Sequence, residues 1–210
     1  MHLVPLFSSS KEDKQQKSCD ESENQTSAIT LNAGVGQCLS DLATQELTAS
    51  YNYLQLSSKF GTSSAYPGFS SLFVKLSDED SSKAYDLIKF VALRKAQLTR
   101  LIHKDGIKIR NDLSSTLDIS QGLIEARRQN KDAWKEVVRC HQEAENVKDA
   151  NVQDYLESHL LDHHIEIDKL LGDIEHRLND VQVSERKLTT FMIDEELLST
   201  YGDRRKDIFS

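Results

Sequence analysis

The chain has 210 residues, 38% of them hydrophobic, 7% aromatic and 29% charged, with a formal net charge of −8. That length can bury a real core without covalent staples. The acidic balance disfavours a non-specific nucleic-acid binder, and no apolar run reaches the ~18 residues of a membrane span. Three cysteines, Cys19, Cys38 and Cys140, are too few for a disulfide scaffold and lack the CxxC spacing of a zinc ribbon.

Two prolines, Pro5 and Pro67, and eight scattered glycines leave too little turn punctuation for an all-β domain. Long helices are therefore expected. Residues 1–35 read as a polar, largely irregular N-terminal arm. It carries a glycosylation sequon, Asn24-Gln25-Thr26, a tripeptide that chance also produces. Its first seven residues lack the basic start and cleavage site of a signal peptide.

From Gln37 a helical stripe begins, with Leu39, Leu42, Glu46, Ala49, Tyr53, Leu56 and Phe60 at spacings of three and four. Gly61 ends it, and Pro67 suits the start of a second helix. That helix presents Phe69, Leu72, Phe73, Leu76, Asp80, Lys83, Leu87 and Val91 on one face and is expected to reach about Ala96. Residues 97–115 read as an extended crossing loop. A third helix is expected over 118–147, with Leu123, Arg127, Asn130, Trp134, Val137 and His141 inward. Asp149 suits the N-cap of a fourth over 150–179. A short fifth, over 188–200, holds Leu188, Phe191, Met192, Leu197 and Leu198. Short connections make the first pair and the last pair of long helices antiparallel. The long middle connection must climb the length of the bundle.

The stripes are not purely apolar. Asp80 and Lys83 stand at the i, i+3 spacing of a metal-binding Glu-x-x-His pair. A protonated lysine has no lone pair to ligate with, so Lys83 is expected to neutralise Glu46 or Asp80 as a buried ion pair. His159 and His163 have a zinc-like i, i+4 spacing, but without a HExxH glutamate packed histidines are the plainer reading.

The segments ELTASYNYL (46–54), PGFSSLFVKLSDE (67–79), DYLESHLLDHH (154–164) and TTFMIDEELL (189–198) together resemble ferritin, closest to the light-chain subunit of insect-type secreted ferritins. The resemblance implies an all-α, ferritin-like up-down-down-up four-helix bundle with one long crossover and a short fifth helix, spanning 36–200, with 201–210 as a tail. It places the ferroxidase positions on Glu46, Tyr53, Asp80, Lys83, Asn130 and His164. Lys83, Asn130 and His164 depart from the family pattern, and Asp80 is a methylene short. The expected function is therefore non-enzymatic: an iron-storage subunit that supports iron entry, mineral nucleation and shell assembly. A divergent ferroxidase using Glu46, Asp80 and His164 is the alternative, and a ferritin-derived interaction protein a third reading.

By the same resemblance, His141, Asp154 and Glu157 line a threefold channel for Fe(II), and Asp78, Glu79 and Asp86 nucleate the ferric mineral. Ser82 departs from the nucleation pattern. The implied partners are heavy-type subunits in a twenty-four-subunit shell, with no nucleic acid or membrane. The implied compartment is secretory or extracellular, with cytoplasmic as the alternative. Cys19 and Cys38 are candidates to bridge to each other or to a partner subunit, and Cys140 is expected as a buried thiol.

Overall fold

The structure, a computed structural model, describes residues 30–63, 65–94, 106–108 and 118–203. Cys19, the Asn24 sequon, most of the crossing segment and residues 204–210 lie outside the described residues. Four long rods and one short helix follow in order. Helix α1 is Ala33–Ser58, closed by a π turn at Lys59–Ser63. Helix α2 is Pro67–Leu93 and α3 is Ile119–Asn146. The fourth rod, α4, runs Ala150–Leu156, passes through a π turn at Glu157–Leu161 and continues as Asp162–Asn179. Helix α5 is Arg186–Tyr201.

The helix starts follow local chemistry. The Asn32 side chain accepts from Gly34 N at 2.8 Å, and Asp118 and Gln121 form a reciprocal capping box on α3. Asp149 caps α4 as expected, accepting from Val152 N at 3.2 Å. Arg94, at the end of α2, also grips Asp149, at 2.7 Å. That pairing ties the end of α2 to the α3–α4 turn.

Cross-helix bonds fix the direction of each rod. Ser50 meets Ser77 at 2.9 Å and Ser57 meets Ser70 at 3.0 Å, so α1 and α2 are antiparallel. Tyr53 reaches Ala126 and Cys38 reaches Cys140, so α3 also runs against α1. Asn130 meets His164 and His141 meets Glu157, so α4 runs against α3. The order is up-down-down-up. A rod of 26 residues such as α1 is ~39 Å long at ~1.5 Å per residue.

The core divides into two apolar clusters. One holds Tyr53, Leu56, Phe60, Phe69, Phe73, Leu123, Leu171 and the buried α5 residues Ile193 and Leu197. The other holds Val35, Leu39, Leu42, Leu87, Val137, Leu156 and both cysteines, Cys38 and Cys140. Glu46, Asp80, Asn130 and His164, all buried, occupy the level between them.

Helix α5 locks onto the start of α2. Asp194 is buried and its Oδ1 accepts from Phe69 N at 2.9 Å, supplying a cap from 125 positions away. The backbones meet so closely that a Cβ on Gly68 would lie 1.9 Å from the Asp194 carbonyl oxygen. Only glycine fits there.

Three expectations change. Trp134 is not inward but 39% exposed, on the edge of the α3 stripe. Leu188, Phe191 and Met192 of α5 are at least half-exposed, because Ile193, Asp194 and Leu197 form the face that meets α2. Cys38 bonds to Cys140, at a sequence separation of 102, so neither is a free thiol and Cys38 does not pair with Cys19. The antiparallel register of α1 and α3 places their Cα atoms 5.5 Å apart, within bridging range.

Candidate metal centre

The mid-bundle layer draws polar side chains from all four rods. Helix α1 supplies Glu46 and, two turns on, Tyr53. Helix α2 supplies Asp80, α3 supplies Asn130, and α4 supplies His163 and His164. Glu46 and His164 side chains are both 0% exposed, and His164 Nε2 lies 3.1 Å from Glu46 Oε1. His163 Nε2 lies 3.3 Å from Asp80 Oδ1. Asn130 joins the layer through two bonds to His164, one to its ring and one to its backbone carbonyl.

These pairs correct the expected role of Lys83. Its ammonium makes no ion pair with Glu46 or Asp80. It is half-buried and lines a polar cleft of about 530 Å³ with Glu79, Ser82, His159, Asp162, His163 and Glu166. The reason is reach and competition. Two rigid imidazoles on α4 already stand against the two carboxylates, so the flexible lysine stem leaves its charge at the wetter edge. The adjacency of His163 and His164 in sequence was the available signal. Each turns towards a different carboxylate on a different helix.

The electrostatics follow from burial. Burial pushes the Asp80 carboxyl up to about 7, against the opposing bond from His163. Burial also acts on His164 by lowering it, but the neighbouring Glu46 carboxylate outweighs this and its net direction is upward. Tyr53 is pushed well above the usual phenol value by burial and by the Asp80 and Glu46 charges. Its hydroxyl donates to the Ala126 carbonyl at 3.4 Å. Glu46 Oε2 is buried without a hydrogen-bond partner. Among the described residues no three or more His, Cys, Asp or Glu side chains converge as a metal cage.

The other two sets of candidates lie apart from this layer. His141 Nε2 sits 2.6 Å from Glu157 Oε1, bridging α3 and the π turn of α4, while Asp154 is exposed one turn earlier. Of the nucleation candidates, Asp78 is exposed, Glu79 pairs with Lys75 at 2.6 Å and Asp86 pairs with Lys89 at 3.0 Å. His159 has its Nδ1 3.0 Å from the Tyr155 carbonyl oxygen and its ring stacked on Tyr155, while His163 turns to Asp80. The two histidines therefore form no chelate.

A family profile described as Ferritin, Ferritin-like domain, matches residues 37–180. The chain belongs to the ferritin family. It is similar to the ferritin middle subunit of Salmo salar, 24% identical over 163 residues, covering 77% of this chain and 90% of that protein. It is also similar to the ferritin light chain, oocyte isoform, of Xenopus laevis, 28% identical over 73% of this chain and 84% of that protein. A third ferritin relative is the ferritin light chain of Trichoplusia ni, 28% identical over 73% of this chain and 71% of that protein. The matched ferritin span takes in the whole mid-bundle layer and all four long rods except the first turn of α1.

Proposed function

We propose that this chain is an iron-storage subunit of a hollow ferritin shell, without ferroxidase activity of its own. The observation that carries the reading is the pairing of both mid-bundle carboxylates with histidines, Glu46 with His164 and Asp80 with His163. A di-iron centre needs those carboxylates as bridging and terminal ligands. Here Asn130 and Lys83 add no anionic donor, so the layer is built to be stable without iron. Two of the relatives named above are called light chains, which supports the same reading.

In this account heavy-type subunits in a twenty-four-subunit shell oxidise Fe(II), and this chain supplies walls, entry and mineral surface. His141, Asp154 and Glu157 would line the threefold entry, where carboxylate rings concentrate cations. Asp78, Glu79 and Asp86 would start the ferric mineral. The buried Cys38–Cys140 disulfide supports assembly in an oxidising compartment, as in the secretory pathway. The alternative, a divergent ferroxidase using Glu46, Asp80 and His164, is favoured by one observation, the unpartnered Glu46 Oε2.

The test is co-assembly. The chain should form shells with a heavy-type subunit, and those shells should retain ferric iron through size-exclusion chromatography. A chain that stays out of heavy-subunit shells, or whose shells hold no more iron than an unrelated protein, would end the proposal.

A further inference from the structure

Trp134 is the one tryptophan of the chain, and it stands 39% exposed. With Ile165 of α4 it walls a cavity of about 320 Å³ between α3 and α4. Buried Asn130 and His164 form the floor, and the more exposed Lys131, Lys135 and Asp168 stand at the rim. The floor offers a ligand little polarity. Asn130 and His164 bond to each other at 2.7 and 2.9 Å, and His164 gives its other ring nitrogen to Glu46 at 3.1 Å. The rim lysines add their aliphatic stems to the walls. The space is therefore apolar inside with charge confined to the mouth, the usual make-up of a small-molecule site.

Size limits the occupant. A cavity of ~150 Å³ admits one benzene, so about twice that volume admits two fused rings. Charge limits its head group. The carboxylate at the rim, Asp168, is engaged by Arg127 at 3.1 and 3.3 Å and lies 3.8 Å from Lys131. Lys135 pairs with Asp132 of its own helix at 2.9 Å, with its side chain 68% exposed. Such an exposed pair holds an ammonium only weakly. The mouth thus carries two loosely held positive charges on a chain whose net charge is −8. Shape limits the body. An indole wall favours a flat ring that can stack on it.

We propose that this cavity binds a flat aromatic anion of about two fused rings. Its rings lie against Trp134 and Ile165, and its carboxylate is held at the mouth by Lys131 and Lys135. The inference is independent of iron storage, since no metal and no shell function enters it.

The probe is 2-naphthoate, titrated into the full chain labelled with 5-fluorotryptophan. Its ¹⁹F spectrum holds one signal, from position 134, because the chain has one tryptophan. That signal should shift saturably, with a Kd below about 1 mM. Two comparisons should bind about tenfold more weakly, having lost a charge-assisted contact: neutral 2-naphthalenemethanol on the parent, and 2-naphthoate on Lys131→Gln/Lys135→Gln. Both lysines are exposed, so this variant leaves the core untouched. Decanoate, with the same charge on a flexible chain, should also bind more weakly than 2-naphthoate. The absence of a saturable shift would overturn the site, and it is also the result if a second copy of the chain covers this face. Undiminished binding of the alcohol, or of 2-naphthoate to the double variant, would overturn the anion assignment. Decanoate binding as tightly as 2-naphthoate would overturn the flat aromatic body.

Discussion

Cutting the link between Cys38 and Cys140 should cost more stability than almost any single substitution on the surface. The bond joins α1 to α3 across a sequence separation of 102. In the chain-entropy picture, opening a loop of about 100 residues frees the unfolded chain by about 4.7 kcal/mol at 25 °C. The full value requires an expanded unfolded state, and real unfolded chains are more compact, so ~3–5 kcal/mol is the expected range. Both sulfurs sit in the apolar cluster with Leu39, Leu42 and Val137, at 1% and 0% exposure. Replacing both with alanine therefore adds a packing loss to the entropy term. Guanidinium unfolding of the parent and of Cys38→Ala/Cys140→Ala, at one protein concentration, measures the difference. The dependence on denaturant should also steepen in the variant, because its unfolded chain exposes more surface. A difference below about 1 kcal/mol, no larger than an ordinary substitution, would refute the loop-closure reasoning. So would rapid reduction of the native protein by a mild thiol, since burial makes reduction wait for opening of the bundle.

The mid-bundle layer should make stability depend on pH in one direction. Asp80, raised from 3.8 to about 7, contributes stability that is full below 3.8 and lost as pH climbs towards 7. His164, raised from 6.5, contributes stability that is full below 6.5 and lost as pH climbs through its folded value. Melting temperatures across this range should show the parent losing ground to Asp80→Asn in the acid part and to His164→Gln in the upper part, and the opposite slopes would contradict the assignment. Asp194→Ala should cost about 1–3 kcal/mol by leaving the buried Phe69 N–H without its acceptor. Hydrogen exchange in α5 should rise before that in α3. Asp154→Asn with Glu157→Gln, in shells where this chain dominates the threefold channels, should slow Fe(II) entry, and an unchanged uptake rate would remove the channel role.

The helical layout was legible because periodicity and sparse glycine and proline report burial along a rod. Asp149 was legible as a cap because its side chain acts locally, within three residues. The site was legible as a set of positions, since Glu46, Asp80, Asn130 and His164 do share one level. Their partners were not. Pairing across helices depends on register and side-chain reach, which spacing along one helix does not encode. Lys83 has the right spacing from Asp80, yet the imidazole of His163, 83 positions away, reaches the carboxylate instead. The Cys38–Cys140 bond and the Asp194 cap on α2 have the same character. Both join residues far apart in sequence, brought together by the antiparallel packing. The exposed Leu188, Phe191 and Met192 show the reverse case. An apolar run marks a face to be covered but not which neighbour covers it.

The central claim is that iron oxidation is not performed at this chain's mid-bundle layer. Stopped-flow oxidation of Fe(II) by a shell made of this chain alone tests it most directly, read beside a shell containing a heavy-type subunit. The account predicts oxidation close to the buffer rate for the pure shell and a fast phase only in the mixed one. A saturable fast phase in the pure shell, abolished by Glu46→Gln, would contradict it and make the layer a working ferroxidase centre.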